Sequence, residues 1–228
     1  MWKSMTQRTW FTQIKMVSNP GQKYIMFLID VDSNYISFEP MKSKENGELI
    51  QGYQCIIDRL AQRGIKPRRQ LLDNEAPKKY LNTIKNNGIE WELAPLHNHR
   101  QNLAEKAIQI GKAHIISNSV GCDPSFPLWE WHRLLPQMEM TVNMLCTANA
   151  TPTISAHTYL NGLHDYNKEP LAPLGCVMQC NVVPDEQTSF GPQSLYVWYI
   201  ITSTENYLLY QPKPVNHPSC LNASLSGH

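Results

Sequence analysis

Apolar residues change their spacing along the chain in a way that marks a sheet first and helices packed on it afterwards. Trp10, Ile14 and Met16 fall at even positions between Thr9 and Val17, as in a strand of mixed burial. Asn19-Pro20-Gly21 is a turn signal, and the run Tyr24-Ile25-Met26-Phe27-Leu28-Ile29 behind it is short, continuous and bounded by polar residues. That run predicts a central strand buried on both faces. Tyr35, Ile36 and Phe38 predict its hairpin partner across a polar turn. From Gly47 to Ala61 the period becomes helical, with Leu49, Tyr53, Ile56, Ile57 and Leu60 three and four apart and Gly64 as the stop. Gln70-Leu71-Leu72 then reads as a short strand, Pro77 to Asn87 as a helix ended by Gly88, and Ile89 to Leu93 as a strand. Further helices are expected over Leu103 to Ile116 and Leu128 to Cys146. Beyond Thr147 the prolines Pro170, Pro173 and Pro184 cut the chain into short pieces. Strand character returns at Leu195 to Leu209, and Gln211 to His228 reads as a disordered tail. A hairpin followed by strand-helix alternation indicates an α/β fold with a mixed sheet flanked by helices.

Charge and cysteine usage narrow the class only a little. Twenty Lys and Arg stand against 19 Asp and Glu, a net charge of +1, so any nucleic-acid-binding surface has to be local. Six cysteines scattered through 228 residues are not a secreted disulfide framework and read as reduced thiols of an intracellular protein. No stretch approaches the roughly 20 apolar residues of a membrane span, so no membrane partner is expected.

Two acids sit where phosphoryl-transfer chemistry could use them. Asp73 directly follows the Gln70 to Leu72 strand, and Glu105 lies near the start of the Leu103 helix, behind the loop that carries His97, His99 and Arg100. Carboxylates at a strand's end and on a neighbouring helix can share divalent cations, which stabilise the attacking and leaving oxygens. Each acid also has a plainer reading. Asp73 can cap the helix after it, and Asn102-x-x-Glu105 has the spacing of a capping box. Glu105, Gln109 and Lys112 share one helical stripe, at i, i+4 and i+7, that suits a phosphate backbone or an ordinary solvated face.

The segments Lys23 to Ile36, Leu72-Asp73-Asn74-Glu75-Ala76 and His97 to Ile108, in this order, resemble the integrase core of copia-type retrotransposons in the form common in algal and protist genomes. Downstream, Leu134-Leu135-Pro136-Gln137, Ser155-Ala156-His157, Gly162 and Asp165 to Pro173 are similar to the same polyproteins, so the resemblance covers roughly residues 18 to 200. It implies a ribonuclease-H-like domain that joins a DNA 3′-hydroxyl to a target phosphodiester with two Mg²⁺ or Mn²⁺ ions. It also implies DNA as partner, assembly as a homo-oligomer, and action in the nucleus or a nucleoprotein particle. Asp73 corresponds to the family's second acid and Glu105 to its third, both as metal ligands. Arg100, Lys106, Gln109 and Lys112 correspond to the DNA-binding surface.

The departure is at the first acid. The family carries an aspartate on the opening strand, whereas residues 1 to 22 contain no Asp or Glu. The nearest echo, Ser4-Met5-Thr6-Gln7, puts Ser4 in its place, and Asp30 and Asp32 recur in the family's second strand without being that acid. The family's amino-terminal zinc module is also missing: His97 and His99 have no Cys-x-x-Cys, and Cys176 and Cys180 no paired histidines. The expectation is a catalytic core over 8–118, a helical extension over 119–170, a small β-rich segment over 171–211 and a disordered tail over 212–228. Function is expected to be integrase-type strand transfer in truncated or degenerate form, the alternative being a catalytically inactive DNA-binding remnant. An Asp-x-Thr-Gly context upstream of Met1 would mark a truncated enzyme.

Overall fold

The computed structural model describes residues 3–13, 17–18, 20–72, 76–93, 100–181, 191, 193–202, 206–211 and 219–224, with backbone alone for 3–13, 100–104, 202, 206–211 and 219–224. Two compact units result, 1–115 with 129–163, and 116–128 with 164–228.

In the first unit, β1 (Lys3–Gln13), β2 (Tyr24–Asp30), β3 (Ile36–Met41), β4 (Ile65–Leu72) and β5 (Glu90–Leu93) form one sheet in the order β3-β2-β1-β4-β5. β2 is antiparallel to both β1 and β3, whereas β4 runs parallel to β1 and β5 to β4. The continuous apolar run becomes β2 because both its faces are covered. Met26 and Leu28 pack with Leu49, Tyr53, Ile56 and Leu60 of α1 (Asn46–Gln62) and with Tyr80 and Ile84 of α2 (Lys78–Asn86). Phe27 points the other way, edge-on to Phe38 at 5.1 Å between ring centroids, under Gly111 of α3 (Arg100–Gly121). Gly64 and Gly88 end α1 and α2 at φ +73° and +70°, backbone angles that cost a side chain energy.

The sheet differs from the expectation at β1 and β4. β1 starts at Lys3, earlier than Thr9, with residues 14–16 of the expected strand outside the described residues, and β4 starts at Ile65. In the β4 extension Ile65 and Pro67 are buried and Lys66 and Arg68 exposed, so its alternation rests on one large apolar residue, Ile65, in the α1–α2 core. Pro67 also argues against a central strand; the ladder tolerates it by a register shift between Met5↔Pro67 and Thr6↔Arg69 that skips Arg68.

β3 is an edge strand, and side chains of α4 (Leu135–Leu145) close it. Asn143, fully buried, accepts from the Ile36 amide at 2.8 Å and donates to the Ile36 carbonyl at 2.8 Å. Glu139 accepts from the Phe38 amide at 2.8 Å and from the Tyr35 hydroxyl at 3.1 Å, with Arg59 Nη2 3.7 Å away. The segment expected as one helix from Leu128 is a 3-10 helix (Leu128–Leu134) followed by α4, with Pro136 in the first turn of α4. Together with α5 (Ala156–Asn161), residues 129–163 belong to the sheet's unit rather than to a separate extension. Asn149 Nδ2 donates to the Val31 carbonyl at 2.8 Å and the Ala150 amide to the Asp32 carbonyl at 2.8 Å, which pins the β2–β3 turn.

The second unit holds an antiparallel sheet of β6 (Val177–Asn181), β7 (Ser194–Thr202), β8 (Asn206–Gln211) and β9 (Ser219–Ser224), each paired with the next. Val197 and Tyr199 are its buried pair, with Cys176, Met178 and Cys180 against them. Leu195 to Leu209 was expected as one stretch and divides into β7 and β8. Ser219–Ser224, expected inside a tail without structure, pairs with β8 along its length. The tail's prolines, Pro212, Pro214 and Pro218, all precede β9 in the sequence. Cys55, Cys122, Cys146, Cys176 and Cys180 are free thiols. Burial raises the pKa of each, which makes them weak nucleophiles. Among the described residues no helix is long and apolar enough to cross a membrane.

Candidate active site

α3 lies so close to the sheet that a Cβ on Gly111 would sit 2.6 Å from Phe27 Cε1 and 3.2 Å from Phe38 Cε1. Ala107, one helical turn earlier, is buried on the same side. That seat fixes which residues face outward: Glu105, Lys106, Gln109 and Lys112 are all exposed. The structure thus presents Glu105, Gln109 and Lys112 together along the solvent side of α3, and Lys106 beside them. Arg100 is the first residue of the helix. His114 Nε2 lies 2.8 Å from Thr141 Oγ1 of α4, which steadies α3 farther along, and burial lowers its pKa.

Asp73 directly follows Leu72, the last residue of β4, and lies outside the described residues, as do His97 and His99. Its distance to Glu105 is therefore not among the described geometry.

The strand register relocates the position of the first acid. Ser4 pairs with Lys66, at the start of β4, whereas Arg8 pairs with both Ile29 and Leu71 near the end of β4 that leads to Asp73. Ser4 is thus at the end of the strand away from Leu72, and Arg8 stands opposite the end of β4 that leads to Asp73. Trp10, paired with Phe27, is the next place on the same row of the ladder. Neither residue is an acid, and Arg8 carries the opposite charge. The echo in Ser4-Met5-Thr6-Gln7 is one of residue type, and it does not carry the register shift beside Pro67 that sets which residue of β1 lies opposite the end of β4.

Asp30 does not replace that acid. Strand alternation puts it on the face of Met26 and Leu28, opposite the face that carries α3. It is buried and ties the β2–β3 turn, accepting from the Ser33 amide at 2.7 Å and the Ser33 hydroxyl at 2.5 Å. Its other oxygen, Oδ1, has no hydrogen-bond partner among the described residues. Burial raises its pKa to about 6 despite the two Ser33 bonds.

A pair of divalent cations brings four positive charges, and a site for it needs several carboxylates close together. Among the described residues no three His, Cys, Asp or Glu side chains cluster. Asp73, one of the two acids that the resemblance names, lies outside that set, and Glu105 is exposed on α3.

Sequence reasoning missed three residues that shape the site: Gly111, Asn143 and Glu139. A glycine inside a helix costs about 1 kcal/mol relative to alanine, and that cost was the available signal for a close approach at Gly111. The roles of Asn143 and Glu139 depend on contacts across more than 100 positions and left no local signal.

No family model matches the chain, and no curated protein matches it either. Solved structures do. The catalytic core domain of BIV integrase superposes with a TM-score of 0.51 at 12% identity, over 68% of this chain and 92% of that one. The HTLV-2 integrase catalytic core domain, solved in complex with magnesium in a trimeric form, superposes with a TM-score of 0.51 at 14% identity, over 70% of this chain and 97% of that one. The fold is therefore the ribonuclease-H-like fold of integrase catalytic cores, as the sheet order and the helix over Glu105 had indicated.

Proposed function

We propose that the chain is an integrase-type polynucleotidyl transferase core of copia-like retrotransposon descent that holds DNA along the outer face of α3 and is impaired at the chemical step. The observation that carries this reading is the seat of α3. Gly111 and Ala107 lock the helix onto the sheet, and the lock leaves Glu105, Lys106, Gln109 and Lys112 facing solvent. Strand transfer, attack of a DNA 3′-hydroxyl on a target phosphodiester, is the reaction of the proposed lineage. Asp73 and Glu105 are its two remaining ligands for Mg²⁺ or Mn²⁺, and Arg100, Lys106, Gln109 and Lys112 its DNA contacts. The HTLV-2 core was crystallised with magnesium and as a trimer, which supports both the choice of cation and a homo-oligomeric state for this chain. Action on DNA in the nucleus or in a nucleoprotein particle follows from the same reading.

The register specifically favours a second reading, a nucleic-acid-binding remnant with no residual chemistry, because the position opposite the end of β4 is Arg8 and not an acid. One experiment separates the two. Strand transfer on a labelled duplex with Mn²⁺ is compared for the unmodified chain, Arg8→Asp and Trp10→Asp. A misplacement of about 1 Å can cost on the order of 100-fold in rate, so a rebuilt acid should raise a trace activity by about that factor. No product from any of the three leaves the remnant reading. Robust activity from the unmodified chain, lost in Asp30→Asn or Asp32→Asn, would show that the second strand supplies the missing ligand and would overturn the proposal.

A further inference from the structure

The two edges of the five-stranded sheet are treated differently. At β3 the side chains of Asn143 and Glu139 take up the Ile36 and Phe38 backbone groups, so that edge is closed. At β5 no described residue does this. All four residues of the strand are exposed, including Trp91 at 39% and Leu93 at 43%. An open strand edge beside exposed apolar side chains is a template for another strand.

A groove of about 800 Å³ runs along this edge, between β5 and α2. Lys78, Leu81, Asn82 and Lys85 of α2 line one side, and Glu90, Trp91 and Glu92 of β5 line the other. Pairing defines the faces of β5. Trp91 is opposite the buried Gln70 and Leu93 opposite Leu72 of the α1–α2 core, so both lie on the groove side. Glu90 and Glu92 alternate to the far side, where Glu92 pairs with Arg69 at 3.5 Å.

We propose that the β5 edge and the α2 groove bind an extended peptide strand of a partner protein, by strand addition, with acidic and apolar residues alternating against basic ones. Backbone hydrogen bonds to β5 supply the affinity, and the alternate side chains supply the selection. Residues on the groove side meet Leu81 and Trp91 and the ammonium groups of Lys78 and Lys85. Those on the far side meet Glu90 and Glu92 and are basic. The same charges argue against a second copy of this chain: pairing β5 with itself would set Glu90 and Glu92 against their own kind. The proposal is independent of strand transfer, since neither Asp73 nor the outer face of α3 takes part.

The probe is a fluorescein-labelled peptide of sequence Lys-Val-Lys-Asp-Lys-Val, titrated by anisotropy against the full chain. In a strand, alternate amides point to the same side, so N-methylation of one alternate set should weaken binding roughly five- to tenfold or more, while methylation of the other set leaves it unchanged. Lys78→Glu with Lys85→Glu, and separately Trp91→Ala, should each weaken binding at least about fivefold with an unaltered circular dichroism spectrum. The α3 variant Lys112→Ala should bind the peptide as the wild type does. An equal response to both methylated sets, or no binding at all, would overturn the proposal. So would displacement by a single-stranded oligonucleotide that itself needs Trp91. Self-association abolished by Trp91→Ala would replace the peptide by a second copy and equally refute it.

Discussion

Replacing Gly111 by alanine tests whether α3 is seated as tightly as its neighbours require. In an exposed helix interior the change would stabilise the protein by about 1 kcal/mol, because alanine loses less backbone entropy. At Gly111 the new methyl would lie 2.6 Å from Phe27 Cε1, closer than carbon atoms approach. The obstructing rings cannot swing aside, since Phe27 and Phe38 are 2% and 1% exposed and packed edge to face on each other. Overpacking of this kind costs about 1–3 kcal/mol, so the net effect is a loss of about 1 kcal/mol, with α3 lifted by a fraction of an ångström. Gly47→Ala is the matched control, in a helix with nothing within 4 Å of the added carbon, and should stabilise. Urea denaturation of both variants gives the signs directly, and DNA affinity of Gly111→Ala measures what the lifted helix does to the outer face. If Gly111→Ala stabilised the chain as much as Gly47→Ala, the close approach of α3, and with it the basis for the row of exposed residues, would be wrong.

Three further outcomes are expected. Asn143→Ala leaves the Ile36 amide and carbonyl buried without the partners Asn143 supplies and should cost about 2–6 kcal/mol in denaturant titrations, from about 1–3 kcal/mol for each orphaned group; a loss below about 0.5 kcal/mol would mean that the β3 edge is not sealed by this side chain. Asp30 has a folded-state pKa of about 6, above its ordinary 3.8, so the native state holds the proton more tightly and stability falls as pH rises from about 4 to about 6, then levels. At about 1.4 kcal/mol per pKa unit the fall is on the order of 3 kcal/mol, and in Asp30→Asn, which keeps an acceptor for Ser33, this part of the pH dependence should vanish; an unchanged profile would show that Asp30 titrates normally. Tightening of DNA binding in Arg8→Asp only when Mn²⁺ is present would mark Arg8 as the missing acid's place, whereas weaker binding with and without the metal would mark Arg8 as a phosphate contact.

The core of the sheet could be read from the sequence because β2 carries its burial as an unbroken apolar run and α1 shows its period over 17 residues. The start of β1 and the first half of β4 could not, since Lys3 to Arg8 offers a single apolar residue, Met5, and β4 alternates there only through Ile65 and Pro67, the latter a residue that argues against a strand. The same limit explains the misplaced first acid. A resemblance in residue types identified the family of folds, but the position opposite the end of β4 depends on a register that a bulge beside Pro67 resets. Glu105, Gln109 and Lys112 were visible as a stripe because helical spacing is fixed, whereas which side of α3 faced the sheet was settled by Gly111 and Phe27.

The central claim is that the outer face of α3 holds DNA, and the salt dependence of binding tests it most directly. Affinity for a duplex is measured at several salt concentrations for the unmodified chain and for Lys106→Ala with Lys112→Ala. Each phosphate contact contributes about 0.9 to the slope of log affinity against log salt, so losing two lysines should flatten the slope by about 2 and weaken binding without lowering stability. An affinity that does not change with salt, or a slope that is the same in both proteins, would contradict the assignment of this face to DNA.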